Sequence, residues 1–409
     1  MQNKLFDRFN LVIFISAMGL LTVGLFAIYS ATYGNAQVEG NFTKQVIAAI
    51  AGFVMVIVIM YLPPKYLAMS SYVFYGIIIM MLILVKFFGK KVMGHQSWFS
   101  FGGLGIQPSE FGKAATVLML AAFLTNRQKD TDVTKPKDFV LAILIVLFPV
   151  GLILLQPDMG TSLVYLAFIL PILYWSGMPN FILFILIAPV VTAICAFIGA
   201  WIFIASLGAV LLGLFAFKKN LLVSSLVFCS VIVSGLSVNM VYDKLAPYQK
   251  KRFQSMFNPE ADALGSGYNV IQAKIAIGSG GMWGKGFLQG TQTQLKYIPE
   301  QWTDFIFCMV GEEFGFVGAI LVVILFITFI WQTIYIAFLC KNRFLSIACI
   351  GFASIITFHM LINMGMTMGI MPVIGIPLPF MSYGVSFLIS NLLMLGIILN
   401  AYRNRKEYV

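Results

Sequence analysis

Twelve apolar stretches occupy most of this 409-residue chain, near residues 10–31, 45–62, 72–88, 109–125, 139–155, 159–176, 180–201, 202–217, 221–241, 304–338, 345–370 and 379–402. Each approaches or exceeds the roughly 17–25 residues that a helix needs to cross a hydrocarbon core of about 30 Å. A backbone inside lipid must satisfy its own amides and carbonyls, and for runs of this length the helix is the solution. The chain therefore reads as an all-α polytopic membrane protein of about 10–12 transmembrane helices. The pair 180–201 and 202–217 is punctuated only by Gly199 and Ser206. Composition agrees: 60% of residues are apolar and 10% charged, where a soluble domain carries about 25% charged residues. A soluble enzyme, a disordered chain and a nucleic-acid-binding domain are excluded, so the net charge of +11 needs another explanation.

Orientation supplies it. With the N-terminus inside, the short inner segments carry fourteen Lys and Arg, among them Lys65, Lys135, Lys137, Lys341, Arg343 and Arg403, against four outside: Lys44, Lys86, Lys90 and Lys91. Cytoplasmic loops collect Lys and Arg, so both termini are expected in the cytoplasm and the long segment 242–303 outside. The first stretch is too long for a cleaved signal and reads as an uncleaved anchor. Five cysteines, all within or bordering apolar stretches and with no CxxC spacing, read as small core residues. With only His95 and His359 present, no histidine metal site is expected.

Acids are expensive at membrane depth, so the fifteen Asp and Glu are informative. In Gln107-Pro108-Ser109-Glu110-Phe111-Gly112-Lys113, the proline and serine suit a helix start, and Glu110 and Lys113 share one face. They fit a buried structural ion pair, or a cation aimed at an anionic ligand with Glu110 holding it. Asp158, in Gln156-Pro157-Asp158-Met159-Gly160-Thr161, fits a helix N-cap or a ligand contact. The segment 242–303 holds Lys250, Lys251 and Arg252 and then eight glycines between Gly265 and Gly290. Clustered glycines let backbone amides approach an anion, and Lys274, Lys285 and Lys296 add positive charge. Ser279 occupies the position where a P-loop would need glycine, and Trp283 breaks a G-x-G-x-x-G pattern. Tyr268–Ile277 has helical polar–apolar spacing and is expected to lie at the membrane interface.

Asp304 follows Trp302-Thr303 at the mouth of the next apolar stretch. It fits a helix cap, or a poorly hydrated acid or base whose pKa is raised by its aromatic neighbours. Continued as a helix at about 100° per residue, the segment puts Glu312 about 80° round from Asp304 and Glu313 on the opposite face, as a packing residue. In Gly375-Ile376-Pro377-Leu378-Pro379-Phe380-Met381-Ser382-Tyr383-Gly384 the prolines delay helix until about Ser382. Such a segment at membrane depth must line protein or a cavity. Cations, an amide-rich loop and one carboxylate at a span mouth thus gather on one face, as an anion with a lipid tail would require.

These motifs, with Lys251–Phe253, Asn258-Pro259-Glu260, Gly265-Ser266-Gly267-Tyr268 and Ala276–Gly281, resemble the SEDS family over nearly the whole chain, nearest its elongation branch. The resemblance implies a single integral membrane domain over 1–409 in the bacterial cytoplasmic membrane. It also implies a peptidoglycan glycosyltransferase that polymerises lipid II and releases undecaprenyl pyrophosphate. The family's proposed catalytic aspartate matches Asp304, expected as general base. Lys113, Glu110, Asp158, Arg252, Lys274, Ser279, Gly280, Gly281, Glu312 and Ser382 are the expected substrate contacts. The sequence requires no cofactor; a divalent cation (Mg or Mn) at the diphosphate is compatible with it. Expected partners are lipid II, a class B penicillin-binding protein, elongation-complex proteins and membrane lipid, with no nucleic acid. Gln301-Trp302 and Gly384-Val385-Ser386-Phe387 depart from the family pattern. Members usually have ten spans, so 200–241 is expected to be an extra transmembrane hairpin. A lipid II flippase or a non-catalytic scaffold for the penicillin-binding protein is the alternative reading; the one-sided polar inventory favours the enzyme.

Overall fold

A computed structural model describes residues 8–34, 38, 40–92, 95–101, 104–126, 131–218, 220–244, 250 and 266–407. The first half runs α1 (Leu11–Thr32), α2 (Gly40–Tyr61), α3 (Pro64–Phe88), a small sheet of β1 (Lys90–Val92), β2 (His95–Phe101) and β3 (Leu104–Ile106), then α4 (Pro108–Leu124), α5 (Pro136–Leu154) and α6 (Met159–Trp175). There follow α7 (Asn180–Ile198), α8 (Ala200–Phe217), α9 (Leu221–Leu236), α10 (Val238–Lys244), α11 (Ser266–Gly280) and α12 (Thr291–Gln294). The chain closes with α13 (Ile306–Glu313), α14 (Gly315–Leu339), α15 (Arg343–Thr367) and α16 (Val385–Arg403). Among the described residues nine helices are long and apolar enough to cross a membrane, and α6 and α9 are shorter and apolar. Each of the twelve expected stretches has its helix, and the chain is a multi-pass membrane protein.

Local chemistry starts these helices. Asn10 Oδ1 accepts from Ile13 N (3.1 Å), Asp158 Oδ1 from Thr161 N (3.0 Å), and Asn342 Oδ1 from Phe344 N (3.0 Å), each satisfying an otherwise orphaned amide. Pro64, Pro108 and Pro136 stand in the first turns of α3, α4 and α5, where a missing N–H costs nothing. Packing then decides which helices are central. The apolar windows of α15 and α16 are 72% and 78% buried, against 11% for α8, so α15 and α16 form the core with α4 while α8 lies at the rim. Asn400 ties α16 to the end of α2 through Ile59 O (2.8 Å) and Leu62 O (2.6 Å).

The structure corrects three expectations. The stretch 304–338 is broken: Asp304 lies in a turn, α13 is a short helix, and the spanning helix α14 begins only at Gly315. Gly315 has φ +66 and abuts Gly284 N so closely that a Cβ would collide with it; the break is a glycine-enabled crossing of two backbones. The last helix starts at Val385 rather than near 379, since Pro377 and Pro379 keep the chain out of helix and residues 379–381 form a turn. Finally, β2 pairs antiparallel with β1 and β3, a sheet too short to register between apolar stretches.

Candidate active site

Asp304 is half-buried at the end of the bundle where α15 finishes. Two loops are zipped together around it. Asn363, fully buried near the end of α15, donates through Nδ2 to Asp304 O (2.9 Å) and Ile376 O (2.8 Å). Ser382 Oγ donates to Thr303 O (2.6 Å) and accepts from Leu378 N (2.8 Å), while Tyr383 N donates to Trp302 O (2.9 Å). Gln45 of α2 holds the far end, through Ser382 O (3.2 Å) and Gly384 N (3.1 Å). The non-helical segment between α15 and α16 thus lines protein, as its depth demands. Gly375 faces the carboxylate: its φ is +78, and a Cβ there would lie 3.2 Å from Asp304 Oδ2. Phe305 turns into the core (3% exposed), while Asp304 and, four residues earlier in the same turn, Glu300 stay half-buried.

The expected ion pair of α4 forms, with Lys113 Nζ 2.7 Å from Glu110 Oε2. It is enclosed, at 1% exposure for Lys113. The ammonium also lies 3.2 Å from His359 Nε2 and 5.1 Å from the centre of the Phe387 ring. His359 Nδ1 is 2.8 Å from Pro377 O; a carbonyl only accepts, so the proton sits on Nδ1 and Nε2 accepts from the ammonium. Here the structural reading prevails in geometry: Lys113 and Glu110 brace the Pro377 loop through His359 and do not open onto a ligand. Ser390 Oγ donates to Glu110 O (2.8 Å), joining α4 to α16 at the same level.

Asp158 caps α6 and also accepts from Thr161 Oγ1 (2.8 Å) and Gln107 Nε2 (3.2 Å). It remains half-buried, two residues before Gly160, which packs on Ile374 O. Lys274 projects from the exposed face of α11 and lies against Gly369, just past the end of α15, where a cation meets the negative end of a helix. The opposite face of α11, Val270, Ala273 and Ala276, is buried against Phe305, Cys308 and Met309 of the Asp304 turn and α13, so this amphipathic segment packs on protein. Ser279 Oγ donates to Ala276 O (2.8 Å) within its own helix and is exposed. Arg252 lies outside the described residues, as do Lys251, Asn258-Pro259-Glu260 and Gly265.

The glycine-rich segment serves a different end from the expected amide nest. Lys285 N and Gly286 N donate to Glu312 O and Glu313 O (both 3.0 Å), and Phe316 N donates to Gly281 O (2.9 Å). A Cβ on Gly280 would collide with Gly311 O. These glycines let the loop dock on the α13–α14 corner, which consumes the amides of residues 285 and 286.

Because Asp304 is not helical, its angular relation to Glu312 and Glu313 does not hold. Glu312 is fully buried and accepts from Lys285 Nζ (2.9 Å), Gln292 N (2.8 Å), Thr293 N (3.0 Å) and Thr293 Oγ1 (2.8 Å). Burial alone would raise its pKa, but Lys285 and the donors of α12 hold it below the ordinary glutamate value. Its carboxylate is committed to anchoring α12 and not to substrate. Glu313, just outside the spanning helix α14, accepts from Ser30 of α1. Burial pushes its carboxyl up to about 7 despite that bond.

Residues that sequence reasoning missed are the positioning ones: Asn363, Gln45, Gly375, and His359 in any role beyond metal binding. A polar side chain inside an apolar stretch was the available signal for Asn363 and His359. Gln45 gave none, because its partners are 337 and 339 residues away.

A helical membrane bundle with the Asp304 turn pinned at one end by two interlocked loops defines a multi-pass integral membrane protein with an end-on polar site. The family model described as cell cycle protein, FtsW/RodA/SpoVE, matches residues 10–210 and 188–407, and this chain belongs to that family. It is 33% identical to the peptidoglycan glycosyltransferase RodA of Treponema pallidum (strain Nichols), over 96% of this chain and 97% of the relative. It is 34% identical to the peptidoglycan glycosyltransferase MrdB of Escherichia coli (strain K12), over 95% and 92%. A chain in the solved structure of a peptidoglycan synthase complex, described as coordinating polymerization and crosslinking, superposes with TM-score 0.71 at 29% identity, covering 98% of this chain and 99% of that one. The two family matches overlap at residues 188–210, across α7 and α8.

Proposed function

We propose that this chain is a peptidoglycan glycosyltransferase that polymerises lipid II into glycan strands at the outer face of the bacterial cytoplasmic membrane during elongation. Asp304 is the general base. It takes the proton of the acceptor N-acetylglucosamine 4-hydroxyl as that oxygen attacks the anomeric carbon of the lipid-linked donor. The bond to the diphosphate breaks in the same displacement, with inversion, and undecaprenyl pyrophosphate leaves. A base of this kind must be positioned within hydrogen-bond reach of its proton, and the observation that carries the reading is the pinning of the Asp304 turn, by Asn363 at Asp304 O and by Ser382 at Thr303 O, opposite the cleared space at Gly375.

Lys274 and Arg252 are the cations for the departing diphosphate; Lys113 acts from within, through His359. Among the described residues no three His, Cys, Asp or Glu side chains converge on a metal position. A divalent ion held by one or two carboxylates such as Asp304 together with the substrate would neutralise the diphosphate's charge. The Lys and Arg asymmetry supports cytoplasmic termini, and the multi-pass fold supports membrane lipid as its surroundings. Likeness to a chain of a peptidoglycan synthase complex supports a class B penicillin-binding protein as partner, with the other elongation-complex proteins around it. The segment 200–241 is an inserted hairpin within the single 1–409 domain, and 242–303 is its large outer loop.

The test is polymerisation of labelled lipid II by purified protein with and without the penicillin-binding partner, beside folded, partner-binding Asp304→Asn and Asp304→Ala. Strands from wild type and none from either variant are expected. Variants as active as wild type would remove Asp304 from the chemistry; no strands even with the partner would favour flipping or scaffolding.

A further inference from the structure

At the end of the bundle opposite Asp304, the starts of α3 and α15 and the end of α4 enclose a cavity of about 700 Å³. The 25 residues of α15, rising about 1.5 Å each, separate the two. Lys65, Lys341 and Arg343 line it, and among the described residues no Asp or Glu does. Arg343 Nη2 donates to Ser176 O (2.8 Å), which fixes where the guanidinium stands. Lys65 has no side-chain partner among the described residues. Asp132, within electrostatic reach of Arg343, is exposed and turned to the Thr134 amide (2.9 Å). The positive ends of α3 and α15 both face this space, partly offset by the negative end of α4.

Thr125, Asn126, Thr131 and Asn342 add neutral polar groups, and one flank of the wall is apolar. Phe344 closes the inner side, while Met69 and Tyr72 of α3, 60% and 43% exposed, continue the cavity onto the face that meets lipid tails. A free anion would satisfy the cations and leave that flank unused. An amphiphile uses both, since basic pockets between spanning helices take phosphorylated headgroups.

We propose that this cavity binds the phosphate headgroup of an anionic membrane lipid, with its acyl chain along Met69 and Tyr72. The lysines neutralise the phosphate and Arg343 gives it a planar donor edge. In the proposed orientation the lipid belongs to the cytoplasmic leaflet.

Native mass spectrometry of the full chain, released from detergent with phosphatidylglycerol, phosphatidylcholine or inorganic phosphate, tests this. Phosphatidylglycerol should be retained in preference to phosphatidylcholine, and a large molar excess of inorganic phosphate should not displace it. Retention should fall at least tenfold in Lys65→Gln/Lys341→Gln, persist in Lys65→Arg/Lys341→Arg, and be unchanged in Lys406→Gln. Equal retention of the two lipids, displacement by phosphate, or an unaffected glutamine variant would each overturn the proposal. The wild-type competition decides it even if the double variant fails to fold.

Discussion

Gly375 is the residue whose side chain matters by its absence. Gly375→Ala adds a methyl 3.2 Å from Asp304 Oδ2 at φ +78, a conformation costing an L-residue about 1–2 kcal/mol. The expected result is a folded protein with polymerisation reduced at least tenfold, read against partner binding as the folding control. Glu313 carries a pH prediction. Its carboxyl is raised from 4.5 to about 7 by burial, so between these values the folded state holds a proton that the unfolded state has lost. Its contribution is fully present below pH 4.5 and disappears as pH rises through 7. Wild type should lose thermal stability between pH 5 and 8 relative to Glu313→Gln; parallel curves would show that the carboxyl is not held protonated. Glu312 behaves oppositely. Its donors are built for an anion, and Glu312→Ala should destabilise the α12 corner by about 3–5 kcal/mol by stranding Lys285 and the buried amides.

At the scale of elements, α15 is the rod that aligns the site. His359 and Asn363 stand one turn apart and hold successive carbonyls, Pro377 O and Ile376 O. Asn363→Leu keeps the volume and removes both bonds, leaving acceptors whose desolvation costs about 1–3 kcal/mol each. Polymerisation should drop sharply while the variant still inserts and binds its partner; undiminished turnover would mean the loop is held without it. The pair α8–α9 contributes little here. Val210, Leu214, Val227 and Val231 of these helices form a separate small core with Ala188 of α7, away from the Asp304 loops. Excising residues 200–236 preserves parity, so polymerisation within about twofold of wild type is expected from lipid II assays. Loss of activity with normal folding would give the hairpin a role in the reaction.

The whole molecule is organised by one asymmetry. Lys65, Lys341 and Arg343 gather at one end, and the Asp304 loops at the other. The apolar stretches made the twelve helices that fill them, and their order, legible in the sequence, because burying apolar side chains in lipid acts on each helix separately. Asp304 was legible as an acid at a span mouth, and the Glu110–Lys113 pair by its spacing. What those residues do depended on partners hundreds of positions away. Lys113 turns inward because His359 and Phe387 meet it there. Glu312 is occupied because α12 folds onto it, and the glycines serve backbone crossings because α13 and α14 break at Gly315. Hydrogen bonds and close packing between distant segments have no sequence period. The helices could be read from the chain alone, whereas the assignment of each polar group to ligand or scaffold was made only when the bundle closed.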